Sequence, residues 1–560
     1  MVKRSLIALT LIACVTLGWA QQPATFDQAV DRFTARENEF LDAMEKFNPM
    51  VETYIQNLSP DADLGFVPDQ DVYFLRRLSM IDGVQEATFA NKGGSTPKQR
   101  GRIGRIVGRL NFFSREDGNG KFLPAGFAQM LVIDSRGLER DAYEFKFVRR
   151  EFLGDVRCIV VDVTPKPNSG EGRFLGRIWV EDQDYNIVRA NGTYSPAPKK
   201  GSYLHFDSWR VNMGPGLWLP AYIYSEEPAE KNRKKSQPFK AQTRFWGYEA
   251  FEDGKQGEWS QILVDTATVK DQSETAQDLS PVASTRAWER QAEDNVLERL
   301  ERAGVLAPAG DVDKVLTTVV NNLMITNNID IQPEMRCRVL LTAPLESFTV
   351  GHTIILSRGL LDVLPDEASL AAVLAHELAH LSLGHRLDTK YAFNDRMLFP
   401  DETTFHSFQL QRTPEEEIAA DQKAIELLKN SPYKDKLTNA GLFFRALQKS
   451  AHGLPNLLNS HLGNPLNNGM EARLKDLVAG APEIDIHKLD QIAALPLGGR
   501  VKLDAWSNRI ELSKSKQVAP ASAREKMPFE VTPLYPHLTR TLSVPANATT
   551  PVQESTTAAK

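Results

Sequence analysis

Cysteine is nearly missing from this chain: Cys14, Cys158 and Cys337 are the only three in 560 residues. Three distant thiols build neither a disulfide framework nor a cysteine-based zinc site. Past the N-terminus there is no run of 18 apolar residues, so the mature chain is not expected to cross a membrane. A positive excess is missing too. The formal charge is −6, from 66 Lys and Arg against 72 Asp and Glu, a balance that argues against nucleic acid as the main partner. No internal repeat is present. What is there, 42% hydrophobic and 25% charged residues, is the composition of an ordinary globular protein, long enough for more than one domain.

At the start, Lys3 and Arg4 precede an apolar core from Leu6 to Trp19, and Gly18 and Ala20 offer small residues before a cut at Gln21. This reads as an export signal. Leu11-Ile12-Ala13-Cys14 also has the look of a bacterial lipobox, which would place a lipid on Cys14 in place of ordinary cleavage. Either way the expectation is export, to the periplasm or envelope of a Gram-negative bacterium.

Phe26, Val30, Phe33, Phe40, Met44, Phe47, Val51, Tyr54 and Leu58 fall mostly at three- and four-residue spacings. That predicts amphipathic helices broken at Asn48-Pro49. The stretch from Lys92 to Arg109 is rich in Gly and Arg; it suits contact with anionic lipid or a partner, or is simply a solvated loop. Residues 125–275 then read as strand after strand: Phe127–Asp134, Tyr143–Arg149, Val156–Thr164, Arg173–Glu181, Ile187–Tyr194, Tyr203–Met213 and Phe239–Glu249. Turn-rich pieces separate them, which predicts an antiparallel meander, open or half-closed like a barrel. Within it, Gly176–Glu181 followed by Tyr185–Arg189 resembles hairpins of the periplasmic lipoprotein-carrier fold. That resemblance implies a curved sheet able to hold an apolar ligand or a partner segment.

From Asp278 the pattern turns helical, and a strand at Thr353–Ser357 leads through Arg358-Gly359 into Leu360-Leu361 and a long helix. Gly480-Ala481-Pro482 marks another boundary, and Val501–Leu503 with Arg509–Leu512 read as a small β-containing piece. The predicted class is therefore α+β and multidomain. Its parts are a signal (1–20), a β-rich half-barrel-like domain with N-terminal helices (21–275), a mainly helical domain (276–482), a small C-terminal β extension (483–542) and a disordered tail (543–560).

The chemistry concentrates in Ala375-His376-Glu377-Leu378-Ala379-His380. On a helix, His376 and His380 lie one turn apart on the same face, so both imidazoles can point at one ion. Two such nitrogens on zinc leave room for a third protein ligand and a water, and Glu377 sits where a carboxylate can take a proton. The H-E-x-x-H pattern leaves the third ligand open. A third histidine at the H-x-x-G-x-x-H spacing is excluded, because Leu383 and Arg386 stand there. His385, about 140° round the helix from His380, reads as a neighbour of a ligand and not as one. A glutamate some twenty residues on is excluded by Phe399 and Pro400. The remaining candidate is the acidic helix start Glu415–Ala424, where Glu415 and Glu416 complement the helix dipole and Glu417 would complete a His, His, Glu site.

A helix of the form A-x-x-L-A-H-E-x-A-H, then one with E-x-x-A-D-x-x-A, and before both a strand ending in Arg358-Gly359-Leu360-Leu361, resembles the zinc metallopeptidases of the HtpX and CAAX prenyl endopeptidase family. The likeness runs from Asp311 to Val478. It implies one zinc ion per chain on His376, His380 and Glu417, Glu377 as general base, and Asp421 orienting a ligand histidine. His461 and Arg473 correspond to the family's late histidine and arginine near the cleft, with stabilisation of the tetrahedral oxyanion as the implied role. One departure is Glu346-Ser347-Phe348, where the family often carries Asn-Ala-aromatic.

The activity expected is hydrolysis of peptide bonds in unfolded or misassembled envelope proteins. The substrate is expected to lie extended along Thr353–Ser357 as an edge strand. The rival reading is a non-catalytic envelope assembly factor, or a carrier of apolar cargo, on a peptidase scaffold.

Overall fold

The computed structural model describes residues 25–79, 83–86, 127–134, 136–170, 172–196, 204–227, 238–248, 281–385, 410–460, 462–468, 471–491, 497–513 and 529–541. The expected export signal, the basic loop, His461 and the C-terminal tail lie outside these residues. The fold is α+β. No described helix is long and apolar enough to cross a membrane.

The first half is one antiparallel sheet of ten strands: β1 (Met50–Asp61), β2 (Gly65–Ser79), β3 (Gly83–Glu86), β4 (Tyr143–Leu153), β5 (Val156–Pro165), β6 (Arg173–Glu181), β7 (Ile187–Ser195), β8 (Phe206–Gly214), β9 (Leu217–Glu227) and β10 (Phe239–Trp246). Their order is β3-β2-β1-β10-β9-β8-β7-β6-β5-β4, so the N-terminal strands close onto the end of the meander.

Helix α1 (Phe26–Met44), capped by Thr25, lies on one face of this sheet. Phe33 meets Phe145 edge-on at 5.3 Å, and Glu37 takes two 2.7 Å bonds from Arg210 of β8 beneath the ring of Phe40. On the other face Arg189 stands between Trp179 and Trp209, 4.2 and 4.4 Å from their rings, while Asp207 receives its two nitrogens at 2.8 Å. Residues 529–541 run over that face. Asp155 donates its N–H to Leu538, and Arg540 reaches Glu181. Gly154 must be glycine here: its φ is +65°, and a Cβ would stand 2.5 Å from the Leu538 backbone.

Three expectations need correction. The helical pattern holds only to Met44; Val51, Tyr54 and Leu58 belong to β1. Met50 to Leu58 is buried on every residue, so the alternation that marks a half-exposed strand is missing and the apolar spacing imitates a helix. Phe127–Asp134 holds a single 3-10 turn (Ala128–Leu131) and no strand. The third concerns the small sheet of the second half, β11 (Arg336–Leu340), β12 (Ser347–Val350) and β13 (Thr353–Ser357). Its order is β11-β13-β12, with β11 parallel and β12 antiparallel to β13. Thr353–Ser357 is thus the middle strand, and the edge belongs to Ser347–Val350.

Helices surround this sheet: α2 (Pro281–Arg302), α3 (Asp311–Thr326), α4 (Arg358–Val363), α5 (Glu367–Ser382), α6 (Pro414–Lys429) and α7 (Leu437–Ser450). A hairpin, β14 (Val501–Leu503) with β15 (Ile510–Leu512), forms the expected small C-terminal sheet. The two halves meet through buried polar groups. Glu52 of β1 accepts from Arg358 of α4 at 2.5 Å, from the Ala343 N–H at 2.5 Å and from Tyr73 at 3.1 Å.

Candidate metal centre

Helix α5 begins where Asp366 accepts from the Ser369 N–H at 2.8 Å, and Pro365 ends the preceding chain. Alanine and leucine then build a helix that is apolar all round, and from Ala371 to His380 every residue is buried. Such a helix has no solvent face. It carries His376 and His380 into the interior, where their nitrogens need partners. Helix α6 starts with a reciprocal cap: Glu416 N–H donates to the Thr413 hydroxyl, and Thr413 N–H to the Glu416 carboxylate. Glu416 is thereby used at the helix end, as expected, and Glu417 turns toward α5.

The three groups converge. The two histidine Nε2 atoms are 3.1 Å apart, and the Glu417 carboxylate meets both, Oε2 at 3.3 Å from His376 and Oε1 at 3.3 Å from His380. Two ligands at about 2.0–2.1 Å from one tetrahedral ion stand about 3.3 Å apart, so this spacing fits zinc. Donor chemistry agrees. His376 donates its Nδ1–H to Asp421 at 2.8 Å, which turns Nε2 inward, the nitrogen that gives up its proton when a cation binds. Glu417 adds acceptors only, and its buried Oε1 has no hydrogen-bond donor among the described residues. A cluster of inward acceptors calls for a cation, and among the described residues this is the one group of three such ligands that converges.

The outer contacts follow the same pattern. Asp421 also accepts the Leu474 N–H at 2.9 Å, so one carboxylate aligns His376 and fixes the chain next to Arg473. Leu474 is held at φ +56° there. His385 shares a 3.0 Å hydrogen bond, Nδ1 to Nδ1, with His380, the neighbouring role its position on the helix suggests. Arg473 is buried and donates Nη1 to Glu377 Oε1 at 3.0 Å and to the Ser347 hydroxyl at 2.9 Å. Its Nε is 3.3 Å from Glu417, and its Nη2 donates to the Asn464 carbonyl at 3.0 Å. Ser347 in turn donates to Glu377 Oε1 at 2.6 Å.

Charges in the cluster set each other. Burial and Arg473 push the His376 imidazole down, but Asp421 and Glu417 outweigh them and hold it up at about 9. His380 is pushed down by burial. Burial opposes the charge on Glu417, yet Arg473 and both histidines hold that carboxyl well below its usual range. Glu377 is lowered in the same way, against its burial, by Arg473, His376 and His380 and by the Ser347 hydroxyl. Arg473, whose burial works against its charge, is raised by Glu417 and Glu377.

Of the residues expected from the sequence, His376, Glu377, His380, Glu417, Asp421 and Arg473 come together. His461 lies outside the described residues. Ser347 and Asn464 were not expected; the only available signal for the first was its place in the departing Glu346-Ser347-Phe348 motif. Asp421→Asn is expected to weaken zinc binding by about 10- to 100-fold with the fold retained, because the carboxylate that fixes the His376 tautomer is lost. Competition with a chelator of known affinity measures it.

Solved structures similar to the chain include a LolA superfamily protein from Nitrosomonas europaea, with TM-score 0.19 and 13% identity over 38% of this chain and 91% of that one. A putative outer membrane lipoprotein-sorting protein domain from Vibrio parahaemolyticus gives 0.18 and 10% over 42% and 99%. A DUF1329 family protein from Desulfovibrio piger gives 0.20 and 10% over 40% and 94%. Scores this low carry nothing further. No curated protein matches the chain. Residues 313–399, which hold β11–β13 and the His376–His380 helix and stop short of Glu417, match peptidase family M48, and over that segment the resemblance read from the sequence is borne out.

Proposed function

We propose that the protein is an exported zinc metalloendopeptidase that hydrolyses peptide bonds of unfolded or misassembled envelope proteins. The observation that carries this reading is the convergence of His376, His380 and Glu417 beside a buried, ionised Glu377. A zinc ion held by the three ligands would supply a Lewis acid that polarises a substrate carbonyl and makes a water molecule more acidic.

The chain's own groups do the rest. Both bonds to Glu377 fall on Oε1, which leaves Oε2 to take a proton from the attacking water. Arg473 lies between Glu377 and Glu417, where its guanidinium can face negative charge growing on the substrate oxygen. Asp421 and His385 orient the two imidazoles from behind.

Metal analysis tests the reading. Purified wild-type protein is expected to carry about one zinc and to cut an unfolded polypeptide, and Glu417→Ala to lose both, since two histidines alone bind zinc poorly. A well-folded wild type that takes up no zinc would instead favour an assembly factor or carrier on a peptidase scaffold.

A further inference from the structure

The edge of β12 has a neighbour from the same chain. Pro465 pairs with Glu346 in an isolated antiparallel bridge. Two residues along, Gly463 lies against Phe348 so closely that a Cβ would stand 2.7 Å from the Phe348 Cβ. Leu462–Leu466 therefore runs antiparallel beside Ser347 and Phe348, the strand whose Ser347 touches Glu377. Alternation puts the main-chain groups of Ser347 on that outer side, because the Ser357 N–H to Glu346 carbonyl bond makes the neighbouring pair the inward one.

Side-chain contacts hold the segment in place. Asn464 accepts the Arg412 N–H at 2.6 Å and donates its Nδ2 to the Arg412 carbonyl at 3.0 Å. Gln411 donates to the Gly463 carbonyl at 3.3 Å, and Arg412 itself is tied to Thr349 of β12 at 2.8 Å. The carbonyl of Asn464 accepts from Arg473 at 3.0 Å, and the same guanidinium holds Glu377. A peptide carbonyl on the guanidinium that also holds the general base, in a chain running along an edge strand, is the arrangement a polypeptide substrate needs. The bond it belongs to is Asn464-Pro465, whose nitrogen has no hydrogen to pair.

We infer that Leu462–Leu466 is an internal pseudosubstrate strand that fills the polypeptide groove along β12 and must leave before an unfolded chain can bind. The inference rests on the peptidase reading. It sets the substrate as an extended polypeptide gripped by its main chain, with little demand on sequence. It also makes the resting protein self-blocked, which suits a peptidase that meets many folded proteins.

Two substitutions loosen the strand without touching a zinc ligand or Glu377. Asn464→Ala removes the clamp on Arg412, and Gly463→Val drives a side chain into Phe348. Each is expected to raise kcat/KM on an unfolded polypeptide about tenfold, the worth of one or two hydrogen bonds, at unchanged zinc content. A synthetic peptide spanning 462–468 is expected to inhibit both competitively. Lowered activity in both variants at intact melting temperature and zinc content would make the segment a wall of the site and overturn the inference. Unchanged activity together with no inhibition by the peptide would do the same.

Amide exchange separates this result from failure of the peptidase reading. In zinc-loaded Glu377→Gln, saturating unfolded polypeptide is expected to speed exchange of residues 462–466. Faster exchange alongside a wild type that cuts nothing would leave a displaceable strand and remove the peptidase. Cleavage by wild type with exchange unmoved would remove only the strand.

Discussion

Glu377→Gln is expected to keep the zinc and lose peptide hydrolysis by about 10³-fold or more, near the upper part of what a positioned general base contributes. The side chain is 2% exposed and surrounded by groups that fix its position. Ser347 and Arg473 both donate to Oε1, so rotation that would bring another group into play is blocked. The amide is the same size and leaves the three ligands untouched, but it cannot take a proton. It also turns an ionised partner of Arg473 into a neutral one, leaving Glu417 as the nearer counter-charge. Zinc per chain by metal analysis and kcat on an unfolded polypeptide check the prediction together. Retained hydrolysis in a contaminant-free preparation would exclude Glu377 as the base, and lost zinc would mean that the carboxylate serves the metal.

How much of this was legible depends on how far apart in sequence the partners lie. The two histidines and Glu377 sit within one helical turn, so their geometry follows from the helix alone. Glu417 and Asp421 are again one turn apart on a second helix, and one motif places both. Ser347 and Asn464 are different. Each is an ordinary residue in its own segment, and only tertiary packing brings Ser347 to Glu377 or Asn464 to Arg473. The β-rich half shows the same division. Strands with a solvent-facing side, such as β4, betray themselves by alternation. β1 is buried on both faces, and β9 hides behind Pro220, which pairs with Arg210 where the register shifts. Proline at a bulge is tolerated in a strand but argues against one on paper. The order of β11, β12 and β13 was illegible for a plainer reason: all three are short, and nothing in their composition says which lies in the middle.

Breaking the buried contact between the halves is the largest stability change expected, about 3–5 kcal/mol for removal of one partner of a buried ion pair. Glu52 and Arg358 are 2% and 1% exposed, and Glu52 also serves Tyr73 and the Ala343 N–H. The two partners are not equivalent. Opposite Glu52 in the sheet stands Arg244, whose buried Nε and Nη2 have no hydrogen-bond partner among the described residues. Burial first, and Arg358 next, push its guanidinium down to about 10. Glu52→Gln therefore leaves two buried cations facing one another with less to offset them. Arg358→Gln leaves a carboxylate that keeps Tyr73, Ala343 and the field of Arg244. Glu52→Gln is accordingly expected to cost more than Arg358→Gln. Replacing both, as Glu52→Leu with Arg358→Met, is expected to recover only part of the loss: the desolvation penalty of the pair goes, but the Tyr73 hydroxyl and the Ala343 N–H lose this acceptor. Denaturant unfolding of the three variants, followed by tryptophan emission and by far-UV dichroism, reads the order. If the two single variants lost equal stability, Arg244 would have no part in the junction. If the double variant were weaker than either, the pair would be stabilising in its own right. The same experiment reports on how the halves are joined: coincident transitions by both signals are expected, because a sheet tied to α4 by its own core charge has no cheap way to unfold alone.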